Sequence, residues 1–170
     1  SRGLIDPGEF LPLAQETGLL VQIDEFVQRQ AFQDVAGWHR AGLGPIDVAV
    51  NLTSSQIEQD SFIDHFKTSL RSSGLAPTSV KMEITESTLM QDVELIVPKL
   101  RLIRSLGARI AIDDFGTGYS SLSYLHQFPI NSLKIDCAFV RDIRAEDQDA
   151  SIVDAIVAMA KGLRLDLVAE

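Results

Sequence analysis

With 170 residues, 45% of them hydrophobic and 23% charged, the chain has the make-up of an ordinary globular domain, not of a stapled miniprotein, a collagen-like repeat or a disordered tail. Fifteen basic against 24 acidic residues leave a formal charge of −9, which excludes a broad electrostatic grip on DNA or RNA phosphates; an anionic ligand would need metals or a local site. The single cysteine, Cys137, permits no internal disulfide, and no apolar run reaches the ~20 residues of a membrane helix or resembles a signal peptide, so a cytoplasmic domain is expected.

Apolar positions keep helical spacing from about Gln22 to Ala41, where Gly42 stops the helix. Ile46 to Val50 reads as a buried strand. Phe62, Ile63, Phe66 and Leu70 mark a second helix, closed by Gly74 and followed by a strand from Val80 to Ile84. Val93, Ile96, Val97, Leu100 and Ile103 mark a third, which Pro98 should kink or confine to one side. A strand from Arg109 to Ile112, a short helix over Ser121 to Gln127 and a strand from Ser132 to Ile135 follow. The last pair is a helix carrying Ile152, Val153, Ile156, Val157, Ala160 and Leu163, then a strand from Leu165 to Val168.

Helices and strands alternate, which predicts an α/β fold with a parallel sheet. No linker or composition shift divides residues 1–170, so one unit is expected. The strand runs close on Asn51, Glu83, Asp113, Lys134 and Glu170, separated by 32, 30, 21 and 36 residues. Right-handed parallel crossovers would bring such ends to one rim. A doubly wound sheet also fits the alternation, but no Gly-rich phosphate loop supports it, and a barrel is favoured.

Any one polar residue at a strand end is commonly a turn former or a helix cap. Five in phase suggest shared work. Carboxylate and amide oxygens suit hard cations such as Mg²⁺ or Mn²⁺, and gathered carboxylates without a cation repel one another. Adjacent Asp113 and Asp114 could serve two ions ~4 Å apart, an arrangement suited to phosphoester hydrolysis; taken alone they also read as an acidic helix start. Lys134 could orient a water or simply pair with the rim acids. The loop from Phe115 to Ser121 has two glycines within three residues, fit for placing backbone near a substrate or for a tight turn. Glu86 could anchor that loop or stand exposed at a helix start.

The stretches Val50-Asn51-Leu52-Thr53, Glu83-Ile84-Thr85-Glu86-Ser87, Asp113-Asp114-Phe115-Gly116-Thr117-Gly118-Tyr119-Ser120-Ser121, Leu133-Lys134-Ile135-Asp136 and Val168-Ala169-Glu170 resemble the bacterial EAL-domain family, the cyclic di-GMP phosphodiesterases. The resemblance runs from Pro7 to Glu170. It implies a modified TIM-like (β/α)8 barrel in which two Mg²⁺ or Mn²⁺ ions activate a water that opens cyclic di-GMP to linear pGpG. Position by position, it implies Asn51, Glu83, Asp113, Asp114 and Glu170 as metal ligands, with Asp113 bridging, Asp114 holding the second ion or the nucleophilic water, and Lys134 contacting that water. It further implies Glu86 as the residue steadying the glycine loop, and Asp6, Pro7 and Asp24 as guanine contacts. Pro7 reads equally as a helix initiator.

In that family a signature Glu-Ala-Leu and its strand precede the region matching this chain, and another strand follows it. The chain is therefore expected to be a partial EAL domain, an incomplete barrel lacking the first and last strands. Cys137 stands where the family usually has Arg; a buried structural thiol is the default. The family also implies a homodimer and fusion to GGDEF or sensor domains. Two other functions remain open: a receptor that binds cyclic di-GMP without cleaving it, and, from spacing alone, a Mg²⁺-dependent barrel lyase or isomerase with Lys134 as base.

Overall fold

A computed structural model describes residues 3–116, 125–141 and 148–169. Helix α1 (Pro7–Glu16) starts at Asp6, whose carboxylate accepts the Gly8 amide at 2.8 Å, with Pro7 in the first turn, where a missing N–H costs nothing. Helix α2 (Leu20–Arg40) leads into β1 (Val48–Asn51). Helices α3 (Ser54–Ile57) and α4 (Phe62–Ser73) precede β2 (Val80–Thr85), and α5 (Glu86–Gln91) and α6 (Val93–Ser105) precede β3 (Arg109–Phe115). After β4 (Ser132–Ile135) come α7 (Cys137–Val140), α8 (Gln148–Leu163) and β5 (Asp166–Ala169).

All neighbouring strands pair in parallel, in the order β1-β2-β3-β4-β5. Spatial order equals chain order, so each crossover steps the same way. A doubly wound sheet would reverse direction at a switch point, and none occurs among the described strands. The fold is α/β, with the winding of an incomplete TIM-like barrel.

Alternation along the strands divides the sheet into two faces. Val50, Met82, Ile84, Ile110, Ile112 and Leu133 enter one core with Phe32, Phe66, Ile96, Leu100 and Ile103 of the helices. There Phe32 and Phe66 meet edge to face, ring centres 5.9 Å apart. Burying each such side chain contributes about 1.5–3 kcal/mol, which holds the helices on this face. The opposite face carries Asn51, Glu83, Thr85, Asp113 and Lys134, and the register aligns them: Asn51 opposite Glu83, and Thr85 opposite Asp113.

Several boundaries differ from the sequence expectation. Ile46 lies outside β1 because its amide donates to His39 Nε2 at 3.0 Å, a partner no strand supplies. Helix α6 runs through Pro98 unbroken: Pro98 and Glu94, whose carbonyl loses its partner, both face solvent, which satisfies that oxygen. Strand β3 continues past Ile112 to Phe115, so Asp113 and Asp114 end a strand instead of starting a helix. Of the helix expected over Ser121 to Gln127, residues 121–124 lie outside the described residues, Leu125 is helical, and His126 and Gln127 form a turn. Cys137 is partly exposed at the start of α7, not buried.

Candidate active site

At the end of β3 the chain breaks its own alternation. From Ile112 to Phe115 the strand advances three residues while β4 advances two, from Leu133 to Ile135, and Asp114 takes a left-handed φ of 53°. This is a β-bulge, with an aspartate in a conformation that Asp tolerates better than most residues. In a regular strand Asp114 would follow Ile110 and Ile112 into the apolar core. With the extra residue, Phe115 takes that place at 3% exposure, and both aspartates stay on the polar side, partly buried.

Lys134 links the neighbouring strands. Its ammonium donates to Glu83 Oε2 at 3.0 Å and lies 2.9 Å from Asp113 Oδ1, with all three side chains 12–15% exposed. Two carboxylates held this close and this dry need a cation between them, and the ammonium supplies one charge against two. Asp113 Oδ1 also accepts the Asp114 amide at 3.1 Å. Among the described residues no three His, Cys, Asp or Glu form a ready metal cluster. The donors present, Asn51, Glu83 and Asp113, are all oxygen, the set preferred by hard divalent cations.

Glu86 is not an exposed helix-start acid. It is 3% exposed, its Oε2 accepts the Gly116 amide at 2.9 Å, and its Oε1 is buried without a partner among the described residues. Gly116 has φ 103°, and a Cβ there would come within 2.9 Å of the Phe139 ring. The backbone leaving β3 is thus pinned on one side by Glu86 and on the other by Phe139. The rest of the glycine loop, residues 117–124, lies outside the described residues, as does Glu170.

Beside Asn51 a cavity of about 700 Å³ is lined by Pro7, Phe10, Leu11, Ile23, Asp24 and Thr53 among others. It joins, through Asn51 and Thr53, a smaller cavity of about 250 Å³ that reaches Glu83. The sequence-derived residues therefore fall into two connected groups. Glu83, Asp113, Asp114 and Lys134 form the charged rim, Pro7 and Asp24 line the apolar cavity, and Asn51 lies between them. Asp6 stands outside that lining, exposed, as the α1 cap.

Asp24 is half-buried, and burial raises its carboxyl above the usual carboxylate range, opposed by a hydrogen bond from Thr53 Oγ1 at 2.6 Å. Thr53 also caps α3 by accepting the Gln56 amide at 3.2 Å. Sequence reasoning gives Thr53 no role of its own, although Thr53-x-x-Gln56 is a capping-box pattern that marks it as a helix start. Phe139 carries no local signal at all.

A singly wound parallel sheet with an acid-and-lysine cluster at the carboxyl ends of its strands defines the class, a partial (β/α) barrel domain. The chain belongs to the EAL domain family, whose model matches residues 1–170. It is 41% identical over its whole length to the cyclic di-GMP phosphodiesterase NbdA of Pseudomonas aeruginosa and covers 22% of that protein. It is 43% identical over 168 residues to the bifunctional diguanylate cyclase/cyclic di-GMP phosphodiesterase MucR of the same organism, 24% of which it covers. The chain thus spans about a quarter of the length of these curated relatives. The solved MucR phosphodiesterase in complex with c-di-GMP superposes with a TM-score of 0.91 at 42% identity, over 98% of this chain and 72% of that one. The manganese/cy-diGMP complex of Klebsiella pneumoniae BlrP1 gives 0.76 at 31% identity, over 88% and 38%.

Proposed function

We propose that this chain is the catalytic part of a cyclic di-GMP phosphodiesterase that opens one phosphodiester of its substrate to give linear pGpG with the help of two divalent cations, Mg²⁺ or Mn²⁺. The observation that carries the reading is the Glu83–Lys134–Asp113 cluster on the rim of an EAL fold. The MucR and BlrP1 complexes, which pair this fold with c-di-GMP and, in BlrP1, with manganese, support it.

Asn51, Glu83, Asp113 and Asp114 would hold the cations, with Glu170 completing the set. Bound there, they supply Lewis-acid stabilisation of the phosphoryl oxygens and a water of lowered pKa. The chain's own residues do the positioning. Lys134, fixed between two carboxylates, presents a charged donor where the attacking water or a phosphoryl oxygen would sit. Glu86 holds the Gly116 amide and so sets where the glycine loop begins. The apolar cavity beside Asn51 accepts a planar base, with Asp24 and Pro7 of its lining as guanine contacts and Asp6, just outside that lining, as a third.

The test is Asp113→Asn in the full-length protein, with cyclic di-GMP consumption and pGpG formation followed by chromatography in Mn²⁺. Turnover should fall at least about 100-fold, since a carboxylate ligand becomes a neutral amide. Near-normal hydrolysis would overturn the reading. MucR's double name favours a whole protein in which this unit is joined to a cyclase or sensor domain, and the family's habit favours a homodimer. No helix among the described residues is long and apolar enough to cross a membrane.

A further inference from the structure

At the opposite end of the sheet, about 13 Å from Asp113 along β3, lies a cavity of about 440 Å³ whose lining includes Arg104, Arg109, His126, Arg164 and Asp166. Asn131 and the apolar Leu125, Phe128 and Ile130, all three buried, form part of its remaining wall. A neighbouring hollow of about 490 Å³ shares Arg104, His126 and Phe128 and adds Arg101. Three arginines and a histidine, set against Asp166 in the lining and Asp47 paired with Arg109, leave a cationic hollow on a chain of charge −9. Its size lies within the ~300–1,000 Å³ of small-ligand sites.

Helix-end electrostatics explain part of this. Arg104 sits in the last turn of α6 and Arg164 just after α8, where a cation complements the helix dipole. That accounts for one arginine per helix. It does not bring Arg109 from a strand start and His126 from a loop to the same cavity.

Two further observations point to a ligand. Arg101, Arg104 and Arg164 pair with no carboxylate among the described residues, although the chain has 24 acids to choose from, and Arg109 Nε is buried without a partner even though its terminal nitrogen meets Asp47. The backbone at Arg164 also works against its own residue type. Leu165 N bonds Ala160 O at 2.9 Å and Arg164 N bonds Lys161 O at 3.2 Å, the two bonds of a Schellman motif, which places Arg164 at the left-handed position with φ 58°. Glycine is the usual residue there, and a side chain is strained. Arg164 thus stands at a glycine-preferring position beside other unpaired guanidiniums.

We propose that this amino-terminal rim binds a small phosphate-bearing anion, held by Arg104, Arg109, Arg164 and His126. Guanidiniums grip phosphate oxygens two at a time. Binding here needs neither divalent cations nor the carboxylate rim, so it stands or falls apart from the proposed hydrolysis.

The probe is inorganic pyrophosphate, titrated calorimetrically into the full-length protein in EDTA at low salt, where the acidic rim has no cation to recruit an anion. Saturable binding is expected, weakened at least about tenfold by Arg104→Ser and by Arg164→Gly. Arg164→Gly relieves the left-handed strain, so that variant should melt no lower than the parent, and its lost binding then reports the guanidinium and not the fold. No saturable heat up to about 10 mM pyrophosphate, or equal binding by parent and both variants, overturns the proposal.

Discussion

At the carboxyl ends of the strands Glu83, Asp113 and Lys134 bind one another across three strands, whereas at the amino ends Arg101, Arg104 and Arg164 meet no carboxylate among the described residues. One rim is acidic and internally braced, the other basic and open. The same parallel winding creates both, because every strand begins at one rim and ends at the other. What differs is how each rim treats charge. Carboxylates 12–15% exposed need an ammonium to coexist, while exposed guanidiniums are hydrated and can wait for a ligand.

The largest effect is expected where the bracing is cut. Lys134→Met leaves Glu83 and Asp113 facing each other without their cation, and the metal-free protein should lose about 2 kcal/mol, seen as a melting temperature lower by about 4–8 °C. An unchanged melt would mean that the cluster is solvated surface and that the two rims do not differ in this way.

Next comes the exit from β3. Gly116→Ala adds a methyl that meets the Phe139 ring at a backbone angle that side chains avoid, and should cost about 1–2 kcal/mol and reduce turnover. Adding Phe139→Ala should return the part due to collision and leave the part due to φ. If the double variant is no better than the single one, the close approach carries no weight and the backbone angle accounts for the whole loss.

The smallest effect concerns Asp24. Its folded carboxyl is raised by burial, so its contribution to stability is complete below the unfolded value near 3.8 and is lost as pH rises through the folded value. At neutral pH the fold therefore carries a half-buried anion. Asp24→Asn should raise the melting temperature by about 1 °C at pH 7 and bring no gain near pH 3, a difference read by paired thermal melts. A gain of equal size at both pH values would show that charge is not the cause.

Much of the fold is legible locally. The helical spacing of Ile23, Val27 and Ala31 and the apolar strands ending in Asn51, Glu83 and Asp113 follow from short-range patterns, and the structure keeps them. Where pattern and structure part, the cause is a side-chain partner, a bulge or the surrounding solvent, none of which a periodic pattern encodes. Ile46 leaves its strand because His39 holds its amide, and Glu86 is buried because the Gly116 amide, 30 residues on, draws its carboxylate inward. Asp113 and Asp114 are compatible with a helix start because a bulge leaves no periodic trace, and Pro98 is tolerated because its surroundings are water.

By itself the sequence determined the alternation of elements, the side of each strand that faces the core and the chemistry waiting at the strand ends. These depend on periods of 2 and 3.6 residues, which a linear pattern encodes. Tertiary structure alone decided that Lys134 would stand between Glu83 and Asp113, that Asp114 would bend out of register, and that arginines from two helix ends and a strand start would share one hollow. Those depend on distances between residues tens of positions apart, which exist only once the strands have paired and the helices have closed over one face.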